Sequence, residues 1–177
     1  MASSRLKEGI ISVVSGAGTG QTLLSAFDGA LLAAGVHNYN LIYLSSIIPP
    51  GKQITTPEKF STAPEEYGHR LYVVRAKAAS DNKGDCIGTA VGWYQLEDGR
   101  GVFVEHEAVE TGMSEQEIQQ ELTHNVTRSL EDLCQRRGFV FEKEKIGLRC
   151  KTAVVTDQST CVLTLAVYQA EGWNTDI

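Results

Sequence analysis

The sequence lacks the features that mark several large classes of protein. It has 16 Lys and Arg residues against 22 Asp and Glu, and no run of five basic residues, so its net charge of −6 disfavours nucleic acid as a partner. No stretch reaches the roughly 18 apolar residues that a membrane-spanning helix needs. The four cysteines form neither a CxxC pair nor a zinc pattern, and we expect no metal site.

The beginning of the sequence also lacks the pattern of a secretory signal. We therefore expect a reducing, cytoplasmic location in which the cysteines pack as small apolar residues. Apolar residues make up 42% and charged residues 21%, as is usual for globular proteins. A chain of 177 residues suits one domain with a sizeable core, spanning residues 1–177.

Periodicity predicts two helices. The first covers residues 23–34 and ends at Gly35, and its shared apolar face is expected to comprise Leu23, Leu24, Phe27, Leu31 and Ala34. The second begins at a capping box formed by Ser114 and Glu117 and ends near Gly138. Its predicted buried face comprises Ile118, Leu122, Val126, Leu130 and Leu133.

Runs of apolar and β-branched residues predict the strands. These runs cover residues 10–14, 40–44, 71–79, 86–96, 101–107, 139–142, 146–155 and 159–168. Residues 52–69 contain two prolines among polar groups and are predicted to form a surface excursion. This order of elements predicts an α+β domain with two helices against antiparallel sheet.

Two short motifs allow a functional and a simpler structural interpretation. The run from Gly16 to Gly20 follows a strand and precedes a helix, as a phosphate-binding loop does. It lacks the third glycine of the dinucleotide-binding motif and the Lys-Ser/Thr pair of a P-loop. We interpret it as a flexible turn. In Glu105-His106-Glu107, strand alternation places the two glutamates on one face and the histidine on the other, which disfavours a three-ligand metal site.

A serine pair, Ser45-Ser46, ends an apolar strand and is followed by Ile47, Ile48 and two prolines. From the dipeptide alone, a turn at a strand end is the simpler interpretation. Ile47 and Ile48 nevertheless indicate that the pair is partly buried.

The residues around this pair closely resemble the pyruvoyl-dependent arginine decarboxylases. In that family a Phe-Asp-Gly-Ala-Leu-Leu helix, here residues 27–32, precedes an Asn-Leu-Ile strand, here residues 40–42, and a self-cleaving serine pair. Residues 101–107 resemble the family's strand bearing a catalytic glutamate. The resemblance is densest over residues 13–50, and departs from the family in the long segment 52–69 and at His106, where an aromatic residue such as tyrosine is expected.

The resemblance implies a four-layer α/β/β/α sandwich of the pyruvoyl-dependent decarboxylase type, assembled as a homotrimer or a dimer of trimers with active sites between subunits. It also implies that the chain cleaves itself between Ser45 and Ser46. The products would be a beta chain, residues 1–45, and an alpha chain, residues 46–177, whose Ser46 becomes a covalent pyruvoyl cofactor.

The resemblance further implies the role of each site residue. Ser46 would attack the Ser45 carbonyl, with the Asn40 amide stabilising the oxyanion. The pyruvoyl group would then decarboxylate arginine to agmatine, with Glu105 donating the proton. Asp28 would bind the guanidinium. The pocket would be lined by Leu24, Leu31 and Ile47.

Two alternatives remain open at this point. The enzyme could act on another amino acid, such as histidine or ornithine, since Asp28 favours a cationic substrate but does not indicate the length of its side chain. The chain could also be a non-catalytic relative that is never cleaved. The sequence leaves undecided which subunit supplies Asp28, and whether the role is polyamine synthesis or acid resistance.

Overall fold

The computed structural model describes residues 9–173, which form two α-helices and nine strands. The helices are α1 (Leu23–Ala34) and α2 (Glu115–Arg136). The strands are β1 (Ile10–Gly20), β2 (Asn40–Tyr43), β3 (Ile47–Ile48), β4 (Gln53–Thr55), β5 (Arg70–Ser80), β6 (Asp85–Gln95), β7 (Gly101–Thr111), β8 (Gly147–Val154) and β9 (Ser159–Glu171). Short 3₁₀ turns lie at Pro64–Glu66 and Lys143–Lys145.

The strands form two sheets. The first sheet has the order β2-β5-β9-β1-β4, with β9 antiparallel to both β1 and β5, and with parallel pairs β1–β4 and β2–β5. The second sheet has the order β3-β7-β6-β8 and is antiparallel throughout. The predicted α+β class, with two helices and mainly antiparallel sheet, is confirmed.

Each helix covers one sheet. Helix α1 packs on the first sheet through Ala26, Ala30 and Ala34, and α2 packs on the second through a row of larger apolar residues. A third apolar cluster joins the sheets to each other: Ile11, Val13, Ile48, Val74, Ala76, Val91, Phe103, Ala166 and Tyr168. This cluster contains residues of both sheets, so their inner faces are in contact.

The glycine-rich run is part of β1 rather than a flexible turn, so that prediction was wrong. Gly16, Gly18 and Gly20 pair with β9. A Cβ atom on Gly16 or Gly18 would lie 2.1 or 2.2 Å from the backbone of Ala30. The glycines are needed because α1 lies almost against the strand.

The same close packing corrects the predicted buried face of α1. The residues that face the sheet are mostly small alanines, because a larger side chain would not fit above the glycines. Leu23 and Leu24 are 43% and 76% exposed. Leu31 and Ala34 are buried as predicted, and Phe27 packs against the edge of the cluster.

Helix α2 agrees closely with its prediction. Ser114 and Glu117 form the capping box, each side chain accepting from the other's backbone N–H. Ile118, Leu122, Val126 and Leu130 are buried as expected. At the last turn Cys134 is fully buried, while Leu133 is only partly covered.

Two other segments differ from their predictions. Residues 139–142 form no strand, because the Tyr94 hydroxyl binds this segment instead, donating to the Val140 carbonyl at 2.7 Å. The segment 52–69 is anchored in the core as well as exposed. Its Phe60 is buried, and the Phe60 N–H donates to the Ala34 carbonyl at 2.9 Å.

The four cysteines are free thiols, and Cys86, Cys134 and Cys161 are buried. Burial raises the pKa of Cys150 and of Cys161 to about 11, which makes both thiols poor nucleophiles. Among the helices of residues 9–173, none combines the length and the apolar character needed to cross a membrane.

Candidate active site

Ser46 lies where the chain crosses from the first sheet to the second. Before it, the Leu44 N–H donates to the Val73 carbonyl on β5 at 2.9 Å. After it, the Ser46 carbonyl accepts from the Phe103 N–H on β7 at 2.8 Å. The Ser45–Ser46 peptide is therefore held between two anchored positions, one on each sheet.

The backbone of Ser46 is in the left-handed region, with φ +69°. It is the sole non-glycine residue between positions 9 and 173 with positive φ. Such a conformation costs a non-glycine residue on the order of 1–3 kcal/mol, and such residues cluster at functional sites.

The Ser46 hydroxyl donates to Glu105 Oε1 at 2.5 Å. Glu105 lies on β7, on the face toward the first sheet, and is largely covered by protein. Burial raises the pKa of its carboxyl, the neighbouring Glu107 raises it further, and the hydrogen bond from Ser46 offsets part of this increase. A hydroxyl this close to a carboxylate is poised for activation as a nucleophile.

Glu107 shares a face with Glu105 and His106 lies on the opposite face, as strand alternation predicted, and both side chains bind other partners. The side chain of Glu107 accepts the backbone N–H of Lys77 at 2.8 Å. His106 points to the other face, where its Nε2 lies 2.9 Å from Ser129 Oγ on α2 and burial lowers its pKa. Residues 9–173 contain no group of three His, Cys, Asp or Glu side chains that could hold a metal ion.

Tyr168, on β9, reaches the same site from the first sheet. Its hydroxyl donates to the Ile47 carbonyl at 2.9 Å, and its ring packs edge-on against Phe103. Burial and the negative charge of Glu105 both raise the pKa of its phenol. No sequence signal marks this role, because Tyr168 simply ends an apolar run and its partner lies 121 positions earlier.

Asn40 is not brought to the serine pair within one chain. Its side-chain amide donates to the Gly68 carbonyl at 2.7 Å. Asn40 begins β2, and extended backbone at about 3.3 Å per residue separates it from Leu44 by about 13 Å. The Asn40 amide of the same chain therefore lies too far away to bind the Ser45 carbonyl in this arrangement.

The residues predicted to bind substrate lie in two environments. Asp28 and Leu24 are one turn apart on α1 and are exposed, and Ile47 is 51% exposed beside Ser46. Leu31 is also on α1, but its side chain is buried in the core between this helix and the first sheet. Within residues 9–173 Asp28 makes no ion pair, so its carboxylate is available to a cation.

Comparison with known proteins adds the family context. The chain is 42% identical over 84 residues to the pyruvoyl-dependent arginine decarboxylase of Methanocaldococcus jannaschii, which covers 46% of each protein. It is 34% identical over 97 residues to the protein of that name from Halobacterium salinarum, covering 54% of this chain and 58% of the relative. The chain thus spans about half the length of the curated relatives it matches.

A family model gives a broader match than these pairwise alignments. The model described as pyruvoyl-dependent arginine decarboxylase matches residues 10–172. The match includes both helices, both sheets, the serine pair and Glu105. It confirms the resemblance found in residues 26–50 and 101–107: the chain belongs to the family of pyruvoyl-dependent arginine decarboxylases.

Proposed function

We propose that this chain cleaves itself at Ser45–Ser46 and then decarboxylates arginine to agmatine and carbon dioxide. The observation that carries the proposal is the 2.5 Å hydrogen bond from Ser46 to Glu105 at a residue with φ +69°. The matched family and the names of the relatives support the same activity.

Self-cleavage follows from the position of these two side chains. Glu105 takes the proton of the Ser46 hydroxyl, whose oxygen attacks the Ser45 carbonyl. The C–N bond then breaks, the proton passes to the Ser46 nitrogen, which leaves as a free amine, and an ester replaces the peptide bond. Loss of the Ser46 Cα proton then breaks the Cβ–Oγ bond and releases the segment that ends at Ser45 as a carboxylate. The dehydroalanine left at position 46 takes up water and loses ammonia, which leaves a pyruvoyl group.

The surroundings of Ser46 fit such a group. A pyruvoyl group has a planar carbon in place of the Ser46 Cα and no N–H, so the backbone strain of a serine with φ +69° would be relieved. It retains the residue 46 carbonyl that accepts the Phe103 N–H. Its ketone supplies the chemistry of the reaction, since it binds the substrate amine and accepts the electron pair left by departing carbon dioxide.

Glu105 would serve both reactions in opposite protonation states. Before cleavage, the Ser46 hydroxyl stabilises the carboxylate and lowers its pKa, which suits a base. After cleavage that hydroxyl is gone, and burial and Glu107 raise the pKa against one remaining opposing contact, the backbone hydrogen bond of Glu105. This upward shift favours the protonated form, which can donate a proton to the substrate carbon.

The substrate pocket requires more than one copy of the chain. Asp28, Leu24 and Ile47 are exposed in a single chain, and the Asn40 amide is distant from its own serine pair. We infer that a neighbouring subunit completes the pocket, as in a homotrimer or a dimer of trimers, with Asp28 binding the guanidinium. The contacts between helices and sheets support the four-layer sandwich, and a cytoplasmic location stays a prediction.

Mass spectrometry of the purified protein tests the cleavage directly. We expect a fragment ending at Ser45 and a larger fragment blocked at its first residue. Ser46→Ala should stay intact because no hydroxyl remains, whereas Ser45→Ala should still be cut because the attacked carbonyl belongs to the backbone. An intact parent chain after prolonged warm incubation would refute the proposal and favour a non-catalytic relative.

Carbon dioxide release from a panel of amino acids tests the substrate. The panel contains arginine, citrulline, ornithine, lysine and histidine. We expect arginine to exceed citrulline by about 10²-fold or more, because citrulline matches its shape without the charge that Asp28 would bind. If histidine or ornithine is the best substrate, the arginine assignment is wrong although the cleavage chemistry stands.

A further inference from the structure

Cleavage at Ser45–Ser46 would change how residue 46 is held. In the intact chain, residue 46 is fixed on one side through Leu44 on the first sheet and on the other through β3 on the second. Once the peptide is cut, residue 46 becomes the first residue of its chain. Its position then depends on the residues that follow it, most directly on contacts made by residues 46–48.

These contacts are few. Strand β3 has only two residues, which pair with Val102 and Gly101 of β7. The side chain of Ile48 is buried, at 1% exposed. The main-chain carbonyl of residue 46 accepts the Phe103 N–H, so the second sheet holds this chain end along one edge only.

Tyr168 supplies the one hydrogen bond to this segment from the opposite sheet, among those that residues 9–173 make. Its hydroxyl donates to the Ile47 carbonyl at 2.9 Å, and the ring is 9% exposed and packs against Phe103 at 6.0 Å between centroids. A buried ring has few alternative rotamers, so the hydroxyl marks a fixed point. The raised pKa of the phenol keeps it protonated, and therefore a donor, across neutral pH.

We propose that Tyr168 is a positioning residue for the pyruvoyl group, an inference that rests on the proposed function. By holding the Ile47 carbonyl, Tyr168 keeps the chain end between the two sheets and the reactive carbon of residue 46 beside Glu105. The residue does not touch the reacting atoms. Its hydroxyl matters more after cleavage than before, because only then does the preceding chain no longer hold residue 46.

Tyr168→Phe removes this hydroxyl and retains the ring. We expect self-cleavage at a rate within about threefold of the parent, and a kcat for decarboxylation lower by about 10- to 100-fold, since small misplacement of reacting groups has effects of this size. KM should change less than kcat. Amide hydrogen exchange at Ile47, Ile48 and Phe103 should be faster in the cleaved variant than in the cleaved parent, a readout independent of turnover.

Tyr94→Phe is the matched control. Tyr94 is equally a buried tyrosine whose hydroxyl donates to a main-chain carbonyl, that of Val140, at 2.7 Å. That carbonyl belongs to the segment after α2 rather than to the chain end at residue 46. We expect Tyr94→Phe to lose stability on a similar scale, yet to keep kcat within about twofold of the parent and leave exchange at Ile47 and Ile48 unchanged.

Two results would overturn the role of Tyr168. One is a cleaved Tyr168→Phe protein with parental exchange at residues 47 and 48 and parental kcat. The other is an equal loss of kcat in Tyr94→Phe, which would mean that general destabilisation explains the effect. A cleaved parent that releases carbon dioxide from none of the amino acids would instead refute the proposed function, while the exchange comparison would still decide whether Tyr168 holds the chain end.

Discussion

Ser46 directly precedes β3 and Glu105 lies on β7, and the two side chains meet because β3 pairs with the first two residues of β7. The left-handed φ of Ser46 turns its hydroxyl toward the carboxylate, while the backbone on either side stays anchored. At the residue scale, therefore, the proposed reactivity of Ser46 would come from backbone geometry as much as from the chemical character of serine.

Glu105→Gln tests whether one carboxyl serves both reactions. We expect self-cleavage to slow, because the amide cannot take the Ser46 proton, and decarboxylation by the processed fraction to fall by about 10²–10⁴-fold, the scale of a lost general acid. In the parent, kcat should fall as pH rises through the Glu105 pKa, which burial raises, because the proton to be donated is lost. The variant should lack this decline.

Glu107→Gln is the matched comparison for that experiment. Its side chain binds the Lys77 N–H rather than Ser46, so cleavage should stay close to parental. Because the charge of Glu107 raises the pKa of Glu105, its removal should move the decline of kcat to lower pH without abolishing that decline. Cleavage rates come from mass spectrometry over time, and kcat from carbon dioxide release at each pH. A Glu105→Gln chain that cleaves at the parental rate would leave Glu105 a role in decarboxylation alone.

At the scale of elements, the contact between β1 and α1 decides the local sequence. The helix lies so close to the strand that glycine on one side and alanine on the other are the residues that fit. Asp28 lies on this same helix and is exposed. Packing between β1 and α1 therefore fixes the position from which Asp28 faces solvent.

Gly18→Ala tests this packing. The added Cβ would lie 2.2 Å from the Ala30 backbone nitrogen, so helix and strand must separate, and we expect a loss of about 1–3 kcal/mol in the free energy of unfolding. Urea unfolding of the uncleaved Ser46→Ala background measures it. At Gly172 a Cβ would meet only the His69 side chain, at 3.3 Å, so Gly172→Ala should lose much less. Equal losses would contradict the proposed constraint.

The sequence predicted the elements whose causes are local. The capping box of Ser114 and Glu117 and the α2 periodicity need only neighbouring residues, and both were confirmed. Gly16 and Gly18 form strand because they pair with β9, and they must be glycine because of Ala30; no local pattern reveals either contact.

The same limit applies to the candidate site. Glu105 was predicted by family resemblance, and its hydrogen bond to Ser46 joins residues 59 positions apart. Tyr168 was missed because its hydrogen bond spans 121 positions and no motif marks it. Asp28, Leu24 and Ile47 stay predictions, since a single chain leaves them exposed.

At the scale of the whole molecule, the first sheet contains strands from both sides of the proposed cleavage site. Strands β1 and β2 precede Ser45, whereas β4, β5 and β9 follow Ser46. Strand β1 lies between β9 and β4, and its pairing with β9 runs from Ser12 to Gly20. The proposed cleavage would therefore cut the chain without separating the sheet.

We expect the two fragments of the cleaved protein to remain together through native purification and to separate only in denaturant. Gel filtration followed by mass spectrometry of the same fraction measures this. The uncleaved Ser46→Ala chain is the control for size. A cleaved sample in which the smaller fragment elutes alone would contradict the strand order of the first sheet.

Because β1 lies inside the first sheet, cleavage would also change folding from an intramolecular to a bimolecular equilibrium. Before cleavage, β1 and β9 find each other within one chain, at the high effective concentration that a covalent link provides. After cleavage, the same pairing is an association between two molecules, so its midpoint depends on protein concentration. Dilute enzyme that has once unfolded should regain activity slowly and incompletely, whereas the Ser46→Ala chain should refold at a rate independent of dilution. In this protein, the intact chain would therefore fold efficiently before cleavage, whereas the cleaved protein would refold poorly once it had unfolded.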